Sequence, residues 1–264
     1  MPKYTGLFSY VGGKVKQLQV ILPRLPKSRI FIDGFGGSGC VLMNRPRSEI
    51  EVIADAHPML RRIYTALRDD PDRLYDRFVK LSGVLTKDRF FWIRERMIRG
   101  HPTDSAAAAL LCLCASFNGS FMDGFHDNWE LRTDCTRRRI RWAAARMCGV
   151  RIEESAWDCF RKYGSERDAL FYLDPPYFGN SQNAKYSGGK KIGYFGKRDH
   201  ARLLQCCKDI KGKFAVSYYD HPLIRKMWRE YNIFSWERPN ASKSRRAGGG
   251  LFMVTELLIT NYEV

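Results

Sequence analysis

The sequence predicts an α/β fold, a parallel sheet with crossover helices on its faces, interrupted by one mostly helical insertion. Three observations predict it. Short apolar runs at 29–33, 49–55, 169–174 and 213–217 each end in a polar residue, and the first three then enter a turn. Stretches with helical texture lie between them. A length of 264 residues fits one large or two small domains, at ~100–200 residues each.

In chain order, Arg29-Ile30-Phe31-Ile32-Asp33 reads as the first strand and runs into Gly34-Phe35-Gly36-Gly37-Ser38-Gly39. Glu49–Ala54 is the second strand, ending at Asp55. From about Met59 to Gly149 the texture is helical, with helices expected over Met59–Leu67, Pro71–Leu81, Arg89–Ile98 and Ser105–Ser116. Pro102 precedes the last of these, and Thr103, Asp104 and Ser105 offer N-caps. A loop rich in Gly, Asn and Asp follows at Phe117–Phe125, then the basic stretch Arg137–Arg141. Ala169–Leu173 is a strand closed by Asp174-Pro175-Pro176-Tyr177, and Lys213–Val216 is another, ending at Ser217. Leu251–Tyr262 reads as a closing strand reached through a flexible segment, Asn240–Gly250. The expected division is therefore a catalytic unit of residues 1–58 and 150–264 with an insertion at 59–149. In open α/β sheets ligands sit beyond the carboxyl ends of the strands, so Asp33, Asp55, Asp174 and Ser217 are expected on one edge.

Composition narrows the partners. With 45 Lys+Arg against 28 Asp+Glu the chain carries +17, a self-repelling charge that points to a polyanion, nucleic acid ahead of an anionic membrane surface. No apolar run approaches the ~20 residues of a spanning helix, and the start MPKYTGLFSYVGGK lacks the apolar core of a signal peptide. The eight cysteines contain no CxxC pair and no histidine cluster accompanies them, which predicts no metal site and reduced thiols in a cytoplasmic protein.

Gly34, Gly36 and Gly39 fit G-x-G-x-x-G after a strand, and Asp55 lies 22 residues beyond Asp33. A tight strand-to-helix turn would show the same glycines. Asp33 just ahead of the first glycine would repel a pyrophosphate and attract an amino group. An ammonium-bearing, phosphate-free nucleoside such as S-adenosylmethionine thus suits Asp33 and Asp55 better than NAD. Tyr10-Val11-Gly12-Gly13-Lys14 is a second glycine turn and lacks the full phosphate-loop spacing. At the third strand end, the prolines hold the backbone extended and leave a carboxylate, a rigid carbonyl and an aromatic ring together. An exocyclic amine could donate to Asp174 and to the Pro175 carbonyl while Tyr177 stacks on its ring.

With these motifs in order, the sequence resembles the Dam-like (D12 class) DNA adenine-N6 methyltransferases. Tyr10 through Lys14 is similar to their N-terminal cofactor motif, Asp33 through Gly39 to their first glycine loop with Gly34 in place of the usual proline, and Ala54-Asp55 to the acidic strand end. FYLDPPYF at 171–178 is similar to their catalytic motif; Asp199-His200, Ser217-Tyr218-Tyr219-Asp220 and Glu256–Tyr262 also match. The resemblance implies a Rossmann-like fold with an inserted target-recognition domain, S-adenosylmethionine as cofactor and double-stranded DNA as substrate. It places Tyr10, Gly12, Lys14, Asp33, Phe35, Gly36, Gly37, Ser38, Asp55 and Asp174 at the cofactor, and Asp174, Pro175, Pro176 and Tyr177 at the chemistry. It further implies direct in-line methyl transfer to a flipped adenine, in a bacterial or phage-infected cell; a cognate restriction endonuclease and the oligomeric state stay open. Phe117-Asn118-Gly119 echoes the start of a loop that reads GATC, but Ser120–Asn128 replaces its remainder, so GATC specificity does not follow.

The positive charge falls in three runs: Arg137, Arg138, Arg139, Arg141 and Arg146; Lys185, Lys190, Lys191, Lys197 and Arg198; and Lys243, Arg245 and Arg246. Any one run could be a solvated face; together they favour phosphate contacts. Asn118, Arg137, Arg138, Arg139, Lys185 and Lys197 are the expected DNA contacts, with base readout by residues such as Asn118, Asp123, His126 and Asn128. The rival readings are the same fold acting on cytosine N4 or RNA adenine, a silent DNA-binding module and, last, an NAD-dependent oxidoreductase. An intact Asp174–Tyr177 motif argues against the silent module.

Overall fold

The computed structural model describes residues 5–98, 105–178, 195–239 and 252–264. Its centre is a seven-stranded sheet in the order β3-β2-β1-β4-β5-β7-β6. The strands are β1 (Ile30–Asp33), β2 (Ile50–Ala54), β3 (Arg151–Glu153), β4 (Ala169–Leu173), β5 (Lys213–Tyr219), β6 (Asn232–Pro239) and β7 (Met253–Thr260). The first five run parallel; β7 pairs antiparallel with β5 and with β6. Strands β1 and β4 are apolar apart from Asp33 and buried along their whole length, as parallel strands covered on both faces must be.

Side chains alternate across the sheet and split the interior into two cores. Phe31, Ile53, Leu170, Tyr172 and Leu258 face one way, toward α1 (Leu18–Ile21), α2 (Cys40–Asn44), α3 (Pro58–Asp69), α4 (Pro71–Ser82), α5 (Lys87–Ile98), α6 (Ser105–Ala115) and α7 (Thr133–Met147). Ile32, Val52, Phe171, Leu173 and Val216 face the other way, toward α8 (Ala156–Tyr163), α9 (Lys197–Asp209) and α10 (Pro222–Met227). The predicted insertion thus packs in one continuous core with the sheet. Its centre is α6, whose SAAAALLCLCA sequence is apolar on nearly all sides and lies among α3, α4 and α5. Helices α3 and α4 start where the chain caps them: His57 Nδ1 accepts from the Met59 amide, Asp70 from the Arg73 amide, and a proline follows each cap.

The sequence-predicted strands and helices are present with ends moved by a residue or two, and one difference changes the site. Strand β5 continues past Val216 to Tyr219 because β7 pairs with it through Ser217↔Leu258, Tyr218↔Leu257 and Tyr219↔Glu256. Ser217 is therefore interior, buried and bonded to the Tyr172 hydroxyl at 3.0 Å, and does not reach the ligand edge. The caps expected at Thr103 and Asp104, the segment Asn240–Gly250, and Lys185, Lys190, Lys191, Lys243, Arg245 and Arg246 lie outside the described residues. No helix among the described residues is long and apolar enough to cross a membrane.

Candidate active site

A cavity of about 320 Å³ opens at the carboxyl ends of β1, β2 and β4, of the size small-molecule sites have. Every residue expected at the cofactor or the chemistry lines it: Tyr10, Gly12, Lys14, Asp33, Phe35, Gly36, Gly37, Ser38, Asp55, Asp174, Pro175, Pro176 and Tyr177. Residues from four distant parts of the chain meet here because parallel strands deliver their ends to one edge.

The glycine loop is shaped by close approach. A Cβ on Gly36 would lie 2.6 Å from Ile53 Cγ1 and 2.8 Å from the Tyr64 hydroxyl, so only glycine fits between loop, β2 and α3. Gly37 has φ +52°, and the Tyr10 ring packs against it. Asp55 ties this loop to the start of α3: its Oδ2 accepts from the Gly37 amide at 2.9 Å and its Oδ1 from the His57 amide at 2.7 Å.

Asp33 and Asp174 differ from Asp55. Each keeps a buried carboxylate oxygen, Oδ1, with no hydrogen-bond partner. Burial, then the nearby Asp174 charge, pushes the Asp33 carboxyl well above the usual carboxylate range. Burial also raises Asp55 and Asp174, against the backbone amides in one case and the Lys14 ammonium in the other. Lys14 Nζ pairs with Asp174 Oδ2 at 2.7 Å and donates to the Gly12 carbonyl at 3.0 Å. Burial works against that ammonium, but Asp174 and Glu256 outweigh it and hold its pKa above the ordinary lysine value. Buried acceptors of this kind suit a ligand carrying N–H donors and positive charge, and would repel a phosphate.

Three features of the site were not legible in the motifs. The Lys14–Asp174 pair joins residues 160 apart in sequence. Phe35, Phe195 and Trp157 form an aromatic wall, Phe195 edge-on to Phe35 and parallel to Trp157 with centroids 6.1 Å apart. Tyr177 is largely buried: its hydroxyl donates to Glu256 at 2.9 Å, and Lys14 Nζ lies 4.9 Å from its ring centroid. The one available signal was Glu256 itself, an acid beside Leu257, Leu258 and Ile259 in a strand with no solvent to receive it.

The segment expected as an insertion reaches the site through the loop after α6. The segment following α6 folds back through an antiparallel bridge between Ser116 and Phe125. Gly119, with φ +64°, lies directly on the backbone of Ser9 and Tyr10, and Phe121 stacks on His57 at 4.4 Å. Phe117 is 60% exposed and stacks on His126, while Asn118 donates to Asp123 at 2.9 Å. Asn128 is exposed.

Of the expected phosphate contacts, Arg137, Arg138, Arg139 and Lys197 are exposed, with Arg137 lying over the Tyr75 ring. Arg146 is a correction. It donates to the Leu42 and Met43 carbonyls and pairs with buried Glu51 at 3.1 Å, so its charge locks α7 onto α2 and β2 instead of facing a substrate. Among the described residues no group of acidic, histidine or cysteine side chains could hold a metal ion.

No curated protein matches the chain in sequence. The solved precorrin 8W decarboxylase of Methanobacterium thermoautotrophicum is similar over 95% of this chain and 90% of that one, at 14% identity and a TM-score of 0.35, a likeness that carries no argument. The model of the D12 class N6 adenine-specific DNA methyltransferases matches residues 10–241.

Proposed function

The chain belongs to the D12 class of N6 adenine-specific DNA methyltransferases, which implies methylation of DNA adenine with S-adenosylmethionine as donor; from that premise we propose how its own residues do it. The observation that carries the reading is the pair of partnerless buried carboxylate oxygens, on Asp33 and Asp174, in one cavity. S-adenosylmethionine, when bound, supplies the electrophilic methyl group. Asp33 would hold its ammonium, Asp55 its ribose hydroxyls through the lone pairs its amide bonds leave over, and Phe35 with Trp157 and Phe195 its adenine.

Asp174 and the Pro175 carbonyl accept the two N–H bonds of the target amine. That orients a poor nucleophile for in-line attack, and the carboxylate stabilises the positive charge developing on nitrogen. Lys14 occupies Asp174 Oδ2 and leaves Oδ1 for the amine. The target base leaves the duplex stack to enter the cavity, and Tyr177 forms part of the wall that receives it.

Residues 59–149 serve as the target-recognition unit, with the Phe117–Phe125 loop reading bases and Arg137, Arg138 and Arg139 contacting phosphates. Because Ser120–Asn128 replaces the remainder of the GATC-reading loop, GATC specificity does not follow for this chain. The test is to incubate unmethylated plasmid with the chain and cofactor and map the modified bases by single-molecule sequencing. N6-methyladenine in a fixed context supports the reading; N4-methylcytosine or no mark overturns it.

Cofactor binding should depend on pH with a defined sign. A cationic ligand favours the ionised form of Asp33, whose pKa is raised, so binding must release its proton at lower pH. Affinity measured by calorimetry should rise as pH increases through that pKa and then level off, and Asp33→Asn should bind more weakly with a flatter profile. A wild-type affinity that falls with rising pH would remove Asp33 from the cofactor site.

A further inference from the structure

Beside the Asp174–Tyr177 turn lies a second cluster that the reaction as described does not use. Glu256, in β7, is 0% exposed. Its Oε2 accepts the Tyr177 hydroxyl at 2.9 Å, and its Oε1 accepts Arg238 Nε at 2.7 Å. The same guanidinium donates through Nη2 to the Tyr219 hydroxyl at 3.1 Å. Tyr219 in turn places its ring edge-on to Tyr177, with centroids 4.4 Å apart and planes at 78°. Strands β5, β6 and β7 each supply one member, brought together because Tyr219 and Trp236 flank Glu256 in the antiparallel ladder.

A buried carboxylate costs several kcal/mol of desolvation unless fully partnered, and apolar residues of similar size commonly serve stability as well or better. The neighbours Leu257, Leu258 and Ile259 show that β7 is otherwise built that way. The charge is therefore better explained by what it holds. Burial, with the Asp174 and Glu256 charges, keeps the Tyr177 phenol protonated, and so a donor. With Pro175 and Pro176 stiffening the turn, fixing the far end of Tyr177 also fixes the Asp174 carboxylate and Pro175 carbonyl at its near end.

We propose that Glu256, anchored by Arg238 and Tyr219, is a positioning residue for methyl transfer that acts through the Tyr177 hydroxyl to hold the Asp174–Tyr177 turn in register with the target amine. The proposal rests on the adenine-methylation reading above. Its effect belongs in kcat, because Glu256, fully buried and outside the cavity lining that Tyr219 and Arg238 share, orients groups already in place and is itself no part of the cavity wall.

A double-mutant cycle tests it with Tyr177→Phe, Glu256→Gln and the combination, scoring kcat, the KM values for DNA and cofactor, and thermal unfolding. Each single change should lower kcat about tenfold, the scale of a slight misplacement of reacting groups, with KM values little changed. The double variant should be no slower than the worse single, since both act through the one Tyr177–Glu256 hydrogen bond. Should Glu256→Gln fail to fold, Glu256→Gln with Arg238→Met, which strips the cluster of charge, takes its place. Losses that multiply, or a Tyr177→Phe variant with wild-type kcat, overturn the positioning role while leaving the methylation reading intact. A wild-type chain that methylates no DNA overturns the reading and this role with it.

Discussion

Asp174→Ala should lower the single-turnover rate of adenine methylation by ~100-fold or more at saturating cofactor, the scale lost when one preorganised electrostatic group is removed. In the proposed mechanism the carboxylate faces charge that appears only as the amine attacks, and such interactions raise the chemical rate without tightening ground-state binding. DNA affinity measured without cofactor should change little, because contacts to the phosphate backbone dominate it. The substitution also deprives the buried Lys14 ammonium of its 2.7 Å partner, leaving it the Gly12 carbonyl. Asp174→Asn keeps the shape and an acceptor while removing the charge, so unfolding curves for both variants separate a lost fold from lost chemistry. A folded Asp174→Asn that methylates at the wild-type rate would show that the charge is not what the reaction uses.

Gly119→Ala should be among the most destabilising single-methyl additions in the chain. Residue 119 has φ +64°, a conformation that costs an L-residue ~1–2 kcal/mol. The new Cβ would also overlap the Ser9 carbonyl oxygen, a backbone atom that cannot swing aside as a side chain can. Overpacking of this kind costs a further ~1–3 kcal/mol. At ~2–4 °C per kcal/mol for a chain of this size, the midpoint should fall by roughly 4–20 °C in calorimetry. Because Ser9 leads directly into Tyr10–Lys14, cofactor affinity should weaken with it. A variant with unchanged midpoint and unchanged cofactor affinity would mean that the loop and the N-terminal turn are not held together in solution.

Much of this protein lies open in its sequence where the signal is local. Strand ends are marked by an acid followed by glycine or proline, as at Asp33-Gly34 and Asp174-Pro175, and those marks alone bring these two acids to one cavity once a parallel sheet is assumed. Helix starts at Pro58 and Pro71 are written in the residues that cap them. The fate of Ser217 was not local. The local pattern ends the strand at Ser217, but a partner strand about 40 residues away extends the ladder to Tyr219, and nothing between 213 and 219 announces that.

Charge shows the same division. The +17 total comes from composition and its clustering in runs from residue order, and neither says what each cation faces. Only packing separates Arg146, turned inward onto Glu51 and the carbonyls of α2, from Arg137, Arg138 and Arg139, exposed one and a half turns or more earlier on the same helix. The sequence by itself determined the strand ends, the glycine turns and the acids beside them, because each depends on neighbours in the chain. The tertiary structure decided which of those acids is already satisfied, as Asp55 is by two amides, which is paired, as Asp174 is by Lys14, and what stands behind Tyr177. Apart from the His57 amide, two residues on from Asp55, those are contacts between residues 18 to 160 positions apart, and the two-body distances that set their energies exist only once the sheet has formed.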